Sequence, residues 1–133
     1  MPSESRHICE WIGCSARVVY DYASDPEHLP DWARGLGNAV ERVGDRWYVE
    51  SPMGRVGFAF VSRNEFGVLD HEVTLPSGEV FYNPMRVVAD GEGCEVVFTL
   101  RRQAGMSDEE FERDAAAVTA DLASLKRLLE SRP

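Results

Sequence analysis

The feature that most constrains the fold is one long amphipathic segment near the carboxyl end, SDEEFERDAAAVTADLASLKRLLE, residues 107–130. Ser107 followed by Glu110 is a capping box, in which each side chain can accept a hydrogen bond from the other residue's backbone N–H. The apolar residues recur at the helical spacing and form one stripe: Phe111, Ala115, Val118, Leu122, Leu125 and Leu129. A helix of this length, about 34 Å, must bury that stripe against another element.

Most of the chain before this helix predicts β-strands. Short stretches rich in β-branched and aromatic residues alternate with turn sequences such as Gly44-Asp45 and Pro76-Ser77-Gly78. Turns at such short spacing, without a helix between them, are typical of antiparallel hairpins. Pro84 lies inside one predicted strand and indicates an interruption or a bulge there. The predicted strands are residues 6–14, 38–43, 46–51, 55–64, 67–75, 79–89 and 94–103.

Two short helices are predicted between the first two strands. Ser15 can cap the first helix, and Asp25-Pro26 ends it because the residue before a proline disfavours the α conformation. Pro26 opens the second helix, and Gly35 and Gly37 end it. The apolar residues of this second helix are Leu29, Trp32 and Leu36.

This order of elements predicts an α+β fold in a single domain of residues 1–133. A long antiparallel sheet twists and curls. We therefore expect a curved sheet of about seven strands, two short helices after the first strand, and the long helix across the concave face. A curled sheet closed by a helix can leave room for one small ligand.

The charge and the cysteine content limit the function classes. The net charge of −9 opposes contact with phosphate backbones and anionic lipid headgroups, so neither nucleic-acid binding nor membrane docking is expected. No apolar stretch is long enough to span a bilayer, and the amino end does not resemble a signal peptide. The odd number of cysteines favours reduced thiols and a cytoplasmic location. We expect Cys9, Cys14 and Cys94 to be small core residues.

No cofactor or metal signature is present in the sequence. The three histidines lie far apart without an HxxxH or HExxH pattern, and the cysteine spacing fits no zinc ribbon. Glycine-rich nucleotide-binding patterns and a GxSxG elbow are also missing. The sequence therefore predicts neither a bound metal nor a nucleotide cofactor.

Several stretches, in their order and spacing, carry a resemblance to a known superfamily. They are VVYDYASDPEHLPDW, GVLDHEVTLPSG, PMRVV, EVVFTL and GMSDEEFERDAAAVTADLASLKRLLE, and together they cover nearly the whole chain. The chain resembles the START/Bet v 1-like (SRPBCC) superfamily, and within it the bacterial polyketide cyclase/dehydrase-like proteins. This resemblance implies the helix-grip fold and a hydrophobic cavity between helix and sheet for an apolar small molecule.

The resemblance leaves the activity open, because fold alone does not choose a function. One interpretation is a cyclase or dehydrase-like enzyme acting on an aromatic or polyketide-like substrate. The second is a non-catalytic carrier or sensor for a lipid or quinone, and the third is a protein-interaction module. A homodimer also stays open.

His71 is the first candidate catalytic residue. In GVLDHEVTL, alternation places His71 on one face with Leu69 and Val73, and this apolar face should point inward. A buried imidazole needs a hydrogen-bond partner or a ligand. It is either a general base or acid, or a donor to a bound carbonyl, or a core histidine satisfied by the protein.

Tyr82 and Arg86 are the other candidate catalytic residues, and their orientation is open because Pro84 can shift the register. An inward Arg86 or Tyr82 would stabilise oxyanion charge on a bound molecule. An inward Arg86 would need a carboxylate partner, such as Asp114 or Asp121 on the long helix. The alternative places Arg86 on the outer face of the sheet.

Aromatic and aliphatic residues are the candidate contacts of an apolar ligand. Phe58 and Phe60 share one strand face, opposite Gly57 and Ala59, so the phenylalanines fill space in the core or in a pocket wall. Trp32 lies on the short helix that would close the cavity mouth. The full set of predicted contacts is Trp32, Trp47, Phe58, Phe60, Leu69, Val118 and Leu122, with core packing as the alternative.

Overall fold

A computed structural model describes residues 4–34 and 36–132. The described chain runs from a strand through short helices into a series of strands and ends in one long helix, as the sequence predicts. The elements in chain order are β1 Ser5–Ile12, α1 Ala16–Ala23, a short 3₁₀ helix Pro26–His28, α2 Leu29–Trp32, β2 Ala39–Val43, β3 Arg46–Ser51, β4 Gly54–Phe60, β5 His71–Thr74, β6 Val80–Asn83, β7 Met85–Asp90, β8 Gly93–Arg101 and α3 Asp108–Glu130.

The strands form two antiparallel groups, in the orders β2-β3-β4-β5-β6 and β1-β8-β7. Pro84 separates β6 from β7, so the prediction of an interruption there is confirmed. The two groups also meet where the segment before β5 runs beside β7: Leu69 N donates to Met85 O at 2.8 Å, and Val87 N donates to Gly67 O at 2.8 Å. The result is one strongly curved surface, as expected for a twisted antiparallel sheet.

The long helix has the predicted start and the predicted buried stripe. Ser107 Oγ accepts from Glu110 N at 3.1 Å, and Glu110 Oε1 accepts from Ser107 N at 3.2 Å, which completes the capping box. α3 lies along β1 and also contacts α2 and β8. The buried residues of the stripe are Phe111, Ala115, Leu122, Leu125 and Leu129, and Val118 is half-buried. None of the described helices is both long enough and apolar enough to cross a membrane.

The first short helix follows the prediction at both ends, whereas the second follows it only at its start. Ser15 Oγ accepts from Val18 N at 3.2 Å and caps α1. The second predicted helix is shorter than expected, since the backbone leaves the helical region at Ala33. Of the two predicted terminating glycines, Gly35 lies outside the described residues. Gly37 passes so close to β3 that a Cβ on it would lie 2.2 Å from the backbone oxygen of Glu50.

The cysteines are free thiols in three different environments. Cys94 is buried and Cys14 is half-buried, but Cys9 is exposed. The prediction that all three are core residues is therefore wrong for Cys9. Its strand alternates between inward and outward positions, and Cys9 falls on the outward set with His7 and Trp11.

Candidate functional site

A pocket of about 300 Å³ lies between α3, α2 and the inner face of the sheet. This volume is at the lower end of the range of about 300–1,000 Å³ that is usual for small-molecule sites. Its wall is mostly apolar: Leu29, Trp32, Ala33, Leu36, Phe58, Val73, Phe81, Phe98, Leu100, Met106, Ala117, Val118 and Leu122. The polar lining residues are His71, Asn83, Arg101, Gln103, Asp114 and Asp121.

His71 is the buried imidazole of this wall, with 6% of its surface exposed. Its Nδ1 lies 3.0 Å from the carbonyl oxygen of Leu69. A carbonyl can only accept, so Nδ1 carries the proton and Nε2 of the neutral ring is an acceptor. This contact is the one hydrogen bond of the ring to the described part of the chain. Burial lowers the pKa of His71, which keeps the ring neutral at neutral pH.

Aromatic neighbours fix the orientation of the His71 ring. Phe58 stacks on it with centroids 4.9 Å apart and an interplanar angle of 20°. Phe60 meets it edge-on at 5.7 Å, and Phe98 lies at 5.8 Å. Together with the Leu69 carbonyl, these rings hold Nε2 in one position relative to the pocket.

The lowered pKa of His71 predicts a pH-dependent stability. The unfolded chain takes up a proton on this histidine at a higher pH than the folded protein does. The free energy of unfolding therefore decreases as the pH falls below about 6.5, by at most about 1.4 kcal/mol per pH unit from this group. We expect urea unfolding between pH 7.5 and 5 to show a smaller decrease for His71→Phe than for the wild type. The two proteins share every other titrating group, so equal decreases would contradict a buried, neutral His71.

Trp32 brings a second polar group to the pocket wall. The residue is 5% exposed, and its indole Nε1 is fully buried with no acceptor among the described residues. A buried N–H without an acceptor costs about 1–3 kcal/mol. Sequence reasoning could place Trp32 at the pocket, but it could not reveal the missing acceptor, because that depends on tertiary packing.

Tyr22 on α1 holds the segment that carries Trp32. Its hydroxyl donates to Asp31 Oδ2 at 2.9 Å, and its ring stacks on His28 with centroids 4.0 Å apart. Burial and the hydrogen bond to Asp31 raise the pKa of Tyr22 to about 12, so the phenol stays protonated and remains a donor. The hydrogen bond to Asp31 and the stacking on His28 therefore hold α2 and the residue before it against α1, although α2 is short.

Two carboxylates of α3 reach the pocket, as does one arginine of β8. Asp114 is half-buried, and burial raises the pKa of its carboxyl group. Asp121 and Arg101 also line the wall. Neither Asp114 nor Asp121 is the partner of Arg86 in the ion pairs that the structure gives for the described residues.

Arg86 and Tyr82 lie on the outer face of the sheet, where they meet Asp70. Tyr82 OH donates to Asp70 Oδ2 at 2.6 Å, and an Arg86 guanidinium nitrogen donates to the same oxygen at 2.9 Å. The backbone N of Met85 donates to Asp70 Oδ1 at 2.9 Å. Burial by itself would raise the pKa of Asp70, but these three hydrogen bonds and the Arg86 charge outweigh it and hold the pKa below its usual value.

Asp70 is the residue that the sequence analysis missed. It is 4% exposed, although alternation places it on the outward set of its strand. The available signal was an acidic residue next to a histidine that was predicted to point inward. The orientation of Tyr82 and Arg86 was open from the sequence, so it did not identify them as partners of this carboxylate. The cluster of Asp70, Tyr82 and Arg86 ties β6 and β7 to the start of β5.

The predicted site residues thus divide into two groups. His71, Trp32, Phe58, Val118 and Leu122 line the pocket. The other predicted residues lie outside the pocket. Phe60 contacts the His71 ring, and Leu69 is buried and supplies the carbonyl for His71. Trp47 lies in a surface groove with the Arg42 guanidinium 5.8 Å from its ring, and Tyr82 and Arg86 bind Asp70. Within residues 4–34 and 36–132, no group of three or more histidine, cysteine or acidic side chains is arranged to hold a metal ion.

Solved structures with the same fold cover almost the whole chain. Truncated norcoclaurine synthase from Thalictrum flavum superposes with a TM-score of 0.70 at 16% identity, over 99% of this chain and 96% of that one. Ara h 8.0201 gives a TM-score of 0.72 at 9% identity, over 98% and 100%. CalU16 from Micromonospora echinospora gives 0.69 at 12% identity, over 98% and 77%. At these identities the likeness shows the fold alone, which is the Bet v 1 helix-grip fold.

Comparison with curated protein sequences gives no significant match. The model of one protein family, described as polyketide cyclase/dehydrase and lipid transport, matches residues 11–130. This match includes β8 and α3, all of the pocket-lining residues and the Asp70 cluster. The chain belongs to the polyketide cyclase/dehydrase and lipid transport family.

Proposed function

We propose that this protein binds an apolar, aromatic or polyketide-like small molecule in the pocket between α3 and the sheet, with His71 as the group that exchanges a proton with it. The observation that carries the proposal is the state of His71. The imidazole is neutral, its Nδ1 is held by the Leu69 carbonyl, and its Nε2 is left as an acceptor on a ring that lines a mostly apolar wall. The family and the fold support ligand binding of this kind.

A base in this position suits the cyclisation of a flexible carbonyl compound. Nε2 takes a proton from a carbon that lies next to a carbonyl, and the resulting carbanion attacks a second carbonyl of the same molecule. A carbon–carbon bond forms, and the imidazolium returns the proton to the new alkoxide. A small pocket contributes by holding the two reacting carbons close together, and positioning of this kind can supply several kcal/mol of the rate gain.

The second candidate function is carriage of the same class of molecule without chemistry. The composition of the wall favours it, since few of the lining residues can ionise. Native mass spectrometry of protein purified from its own host separates the two functions. A carrier retains an unmodified ligand that the protein leaves unchanged on incubation, whereas an enzyme converts it.

Filling the pocket tests the binding proposal directly. Val118 is a half-buried lining residue of α3, and Ala120 is an exposed residue two positions further along the same helix. We expect Val118→Trp to weaken binding of the neutral fluorescent probe N-phenyl-1-naphthylamine by about tenfold or more, because the indole occupies the space of the probe. Fluorescence titration gives the Kd.

Ala120→Trp is the matched control, since it adds the same side chain to the outside of the helix. It should bind the probe within about twofold of the wild type. If Val118→Trp folds and binds the probe as tightly as Ala120→Trp, the pocket is not the binding site.

A further inference from the structure

We propose that two copies of this protein associate about a two-fold axis through the β4–β5 loop, residues 61–70, with the Phe66 ring of each copy lying in a surface groove of the other. The groove shares no lining residue with the pocket between α3 and the sheet. The contact therefore goes beyond the proposed function and is independent of it. Three features support it: an exposed ring on a fixed loop, a groove beside that ring, and a local balance of charge.

Phe66 is the most exposed large apolar side chain of the described residues, with 83% of its surface in solvent. It belongs to neither of the two hydrophobic clusters that form the core. Single exposed apolar side chains are common on protein surfaces and need no explanation by themselves. What sets Phe66 apart is the backbone that carries it, because that backbone is held in one conformation.

The side chain of Asn64 holds the loop from inside. Its Oδ1 accepts from Phe66 N at 2.9 Å and from Val68 N at 3.1 Å. Its Nδ2 donates to Val68 O at 2.9 Å and to Ser62 O at 3.1 Å. The ring is thus presented by a pre-organised loop, so contact with a partner costs little ordering of the backbone.

A groove of about 650 Å³ lies beside the ring, between α1, the β4–β5 loop and β7. Its apolar surface comes from Ala16, Tyr20, Val87 and Ala89, and Phe66 lines it as well. Because the ring and the groove are on the same face, a two-fold axis places each ring in the groove of the other copy. One contact is then made twice, and the two rings meet near the axis.

The charges of this groove fit a second copy of the chain. The lining includes Arg17 and Arg63 but also Asp21 and Glu65, so the positive and negative side chains are equal in number. The whole chain carries a net charge of −9, and two copies repel each other over most of their surfaces. A face with balanced charges is where two such molecules can approach, whereas a basic partner would find more attraction elsewhere.

Two of these four side chains are left for a contact between copies. Arg63 forms an ion pair with Asp21. Arg17 lies 3.7 Å from Asp21 but is 85% exposed, and Glu65 has no ion-pair partner among the described residues. A two-fold arrangement can join Arg17 of each copy to Glu65 of the other, which gives two identical ion pairs.

An exchange of these two charges tests the contact. Arg17→Glu alone sets two carboxylates against each other at both ends of the interface, and Glu65→Arg alone does the same with two guanidinium groups. An equimolar mixture of the two variants restores both pairs, because each variant supplies the charge that the other lacks. Sedimentation velocity at about 0.15 M salt gives the dimer Kd for the wild type, for each variant and for the mixture.

We expect the wild type to be dimeric at about 100 μM. Each charge variant alone should raise the dimer Kd by about tenfold, and the mixture should form a heterodimer with a Kd within about threefold of the wild-type value. Phe66→Asp should raise the Kd by about a hundredfold or more, because the ring is lost from both halves of the interface.

Met53→Asp is the matched control for Phe66→Asp. Met53 is another exposed apolar residue, with 67% of its surface in solvent, and it lies outside the groove. It receives the same new charge, so it should dimerise within about twofold of the wild type. Circular dichroism checks that every variant is folded, as these exposed positions allow.

A wild type that sediments as a monomer at about 100 μM overturns the inference. Dimerisation of folded Phe66→Asp with the wild-type Kd also overturns it, because the copies then meet through another face. A mixture that associates no more tightly than its two components rules out the two-fold pairing of Arg17 with Glu65. None of these results bears on the proposed function, since none of the substituted residues lines the pocket.

Discussion

Replacement of Asp70 with alanine is expected to lower the free energy of unfolding by about 3 kcal/mol. The carboxylate is 4% exposed and accepts hydrogen bonds from Met85 N, Tyr82 OH and Arg86. Truncation leaves the buried Met85 N–H without an acceptor, which by itself costs about 1–3 kcal/mol, and it also removes the hydrogen bond from Tyr82. The Arg86 ion pair contributes little to the free energy of unfolding, because the arginine side chain is 46% exposed and solvent screens the charges.

Two variants separate these contributions in urea unfolding. Asp70→Asn keeps an oxygen for Met85 N and should lose clearly less stability than Asp70→Ala. Tyr82→Phe removes one hydrogen bond from an exposed phenol and should lower the free energy of unfolding by clearly less than Asp70→Ala does. If Asp70→Ala unfolds within about 0.5 kcal/mol of the wild type, the cluster does not hold β5, β6 and β7 together.

Replacement of Gly67 with alanine is expected to cost at least about 3 kcal/mol. Gly67 has φ +72°, a conformation that costs an L-residue about 1–2 kcal/mol. A Cβ at this position would also lie 2.2 Å from the backbone oxygen of Val87. Relief of that overlap has to separate the two backbones and lengthen the bond from Val87 N to Gly67 O, which is 2.8 Å in the wild type.

Gly105 provides the matched control for this substitution. It also has a positive φ, +81°, but no atom lies within 4 Å of the position that a Cβ would take. Gly105→Ala should therefore show only the conformational cost, about 1–2 kcal/mol. Equal losses for Gly67→Ala and Gly105→Ala would mean that the close approach to Val87 carries no cost.

Both substitutions act next to the pocket. Leu69, whose carbonyl accepts from His71 Nδ1, lies between Gly67 and Asp70. The strand β5 begins at His71, directly after Asp70. The backbone N of Leu69 also donates to Met85 O, so the distance between this segment and β7 sets the position of the His71 imidazole. The outer cluster is thus a structural support for the ring on the other face.

The parts of this architecture that depend on periodicity could be predicted from the sequence. The 3.6-residue stripe of α3 and its capping box are local signals, and they fixed the helix correctly. Alternation in β5 placed His71 on the inward face for the same reason. A local pattern of this kind needs no knowledge of which strands are neighbours.

The parts that depend on strand pairing could not be predicted in this way. Pro84 made it impossible to decide from the sequence to which face of the sheet Arg86 points, because a one-residue shift would turn every following side chain to the other face. In the structure Pro84 ends β6, and Arg86 stays outward with Tyr82. Asp70 is bound by Tyr82, Arg86 and the backbone of Met85, and these contacts require β5, β6 and β7 to be in place.

The position of Trp47 shows a further limit. It lies opposite Phe58 in the register of β3 and β4, so its side chain points to the same face. The phenylalanine lines the pocket, whereas Trp47 lies one strand further along the curved sheet, in a surface groove. Alternation gives the face of a residue, but the extent of the pocket along that face depends on where α2 and α3 lie.

The proposed function requires a small aromatic molecule to bind in the pocket against His71. Isotope-filtered nuclear Overhauser spectroscopy of the wild-type protein with 2-naphthol tests it most directly. We expect cross-peaks from the naphthol protons to the His71 ring, the Phe58 ring and the Val118 methyl groups. Cross-peaks from bound naphthol only to residues outside this set and away from the pocket would contradict it.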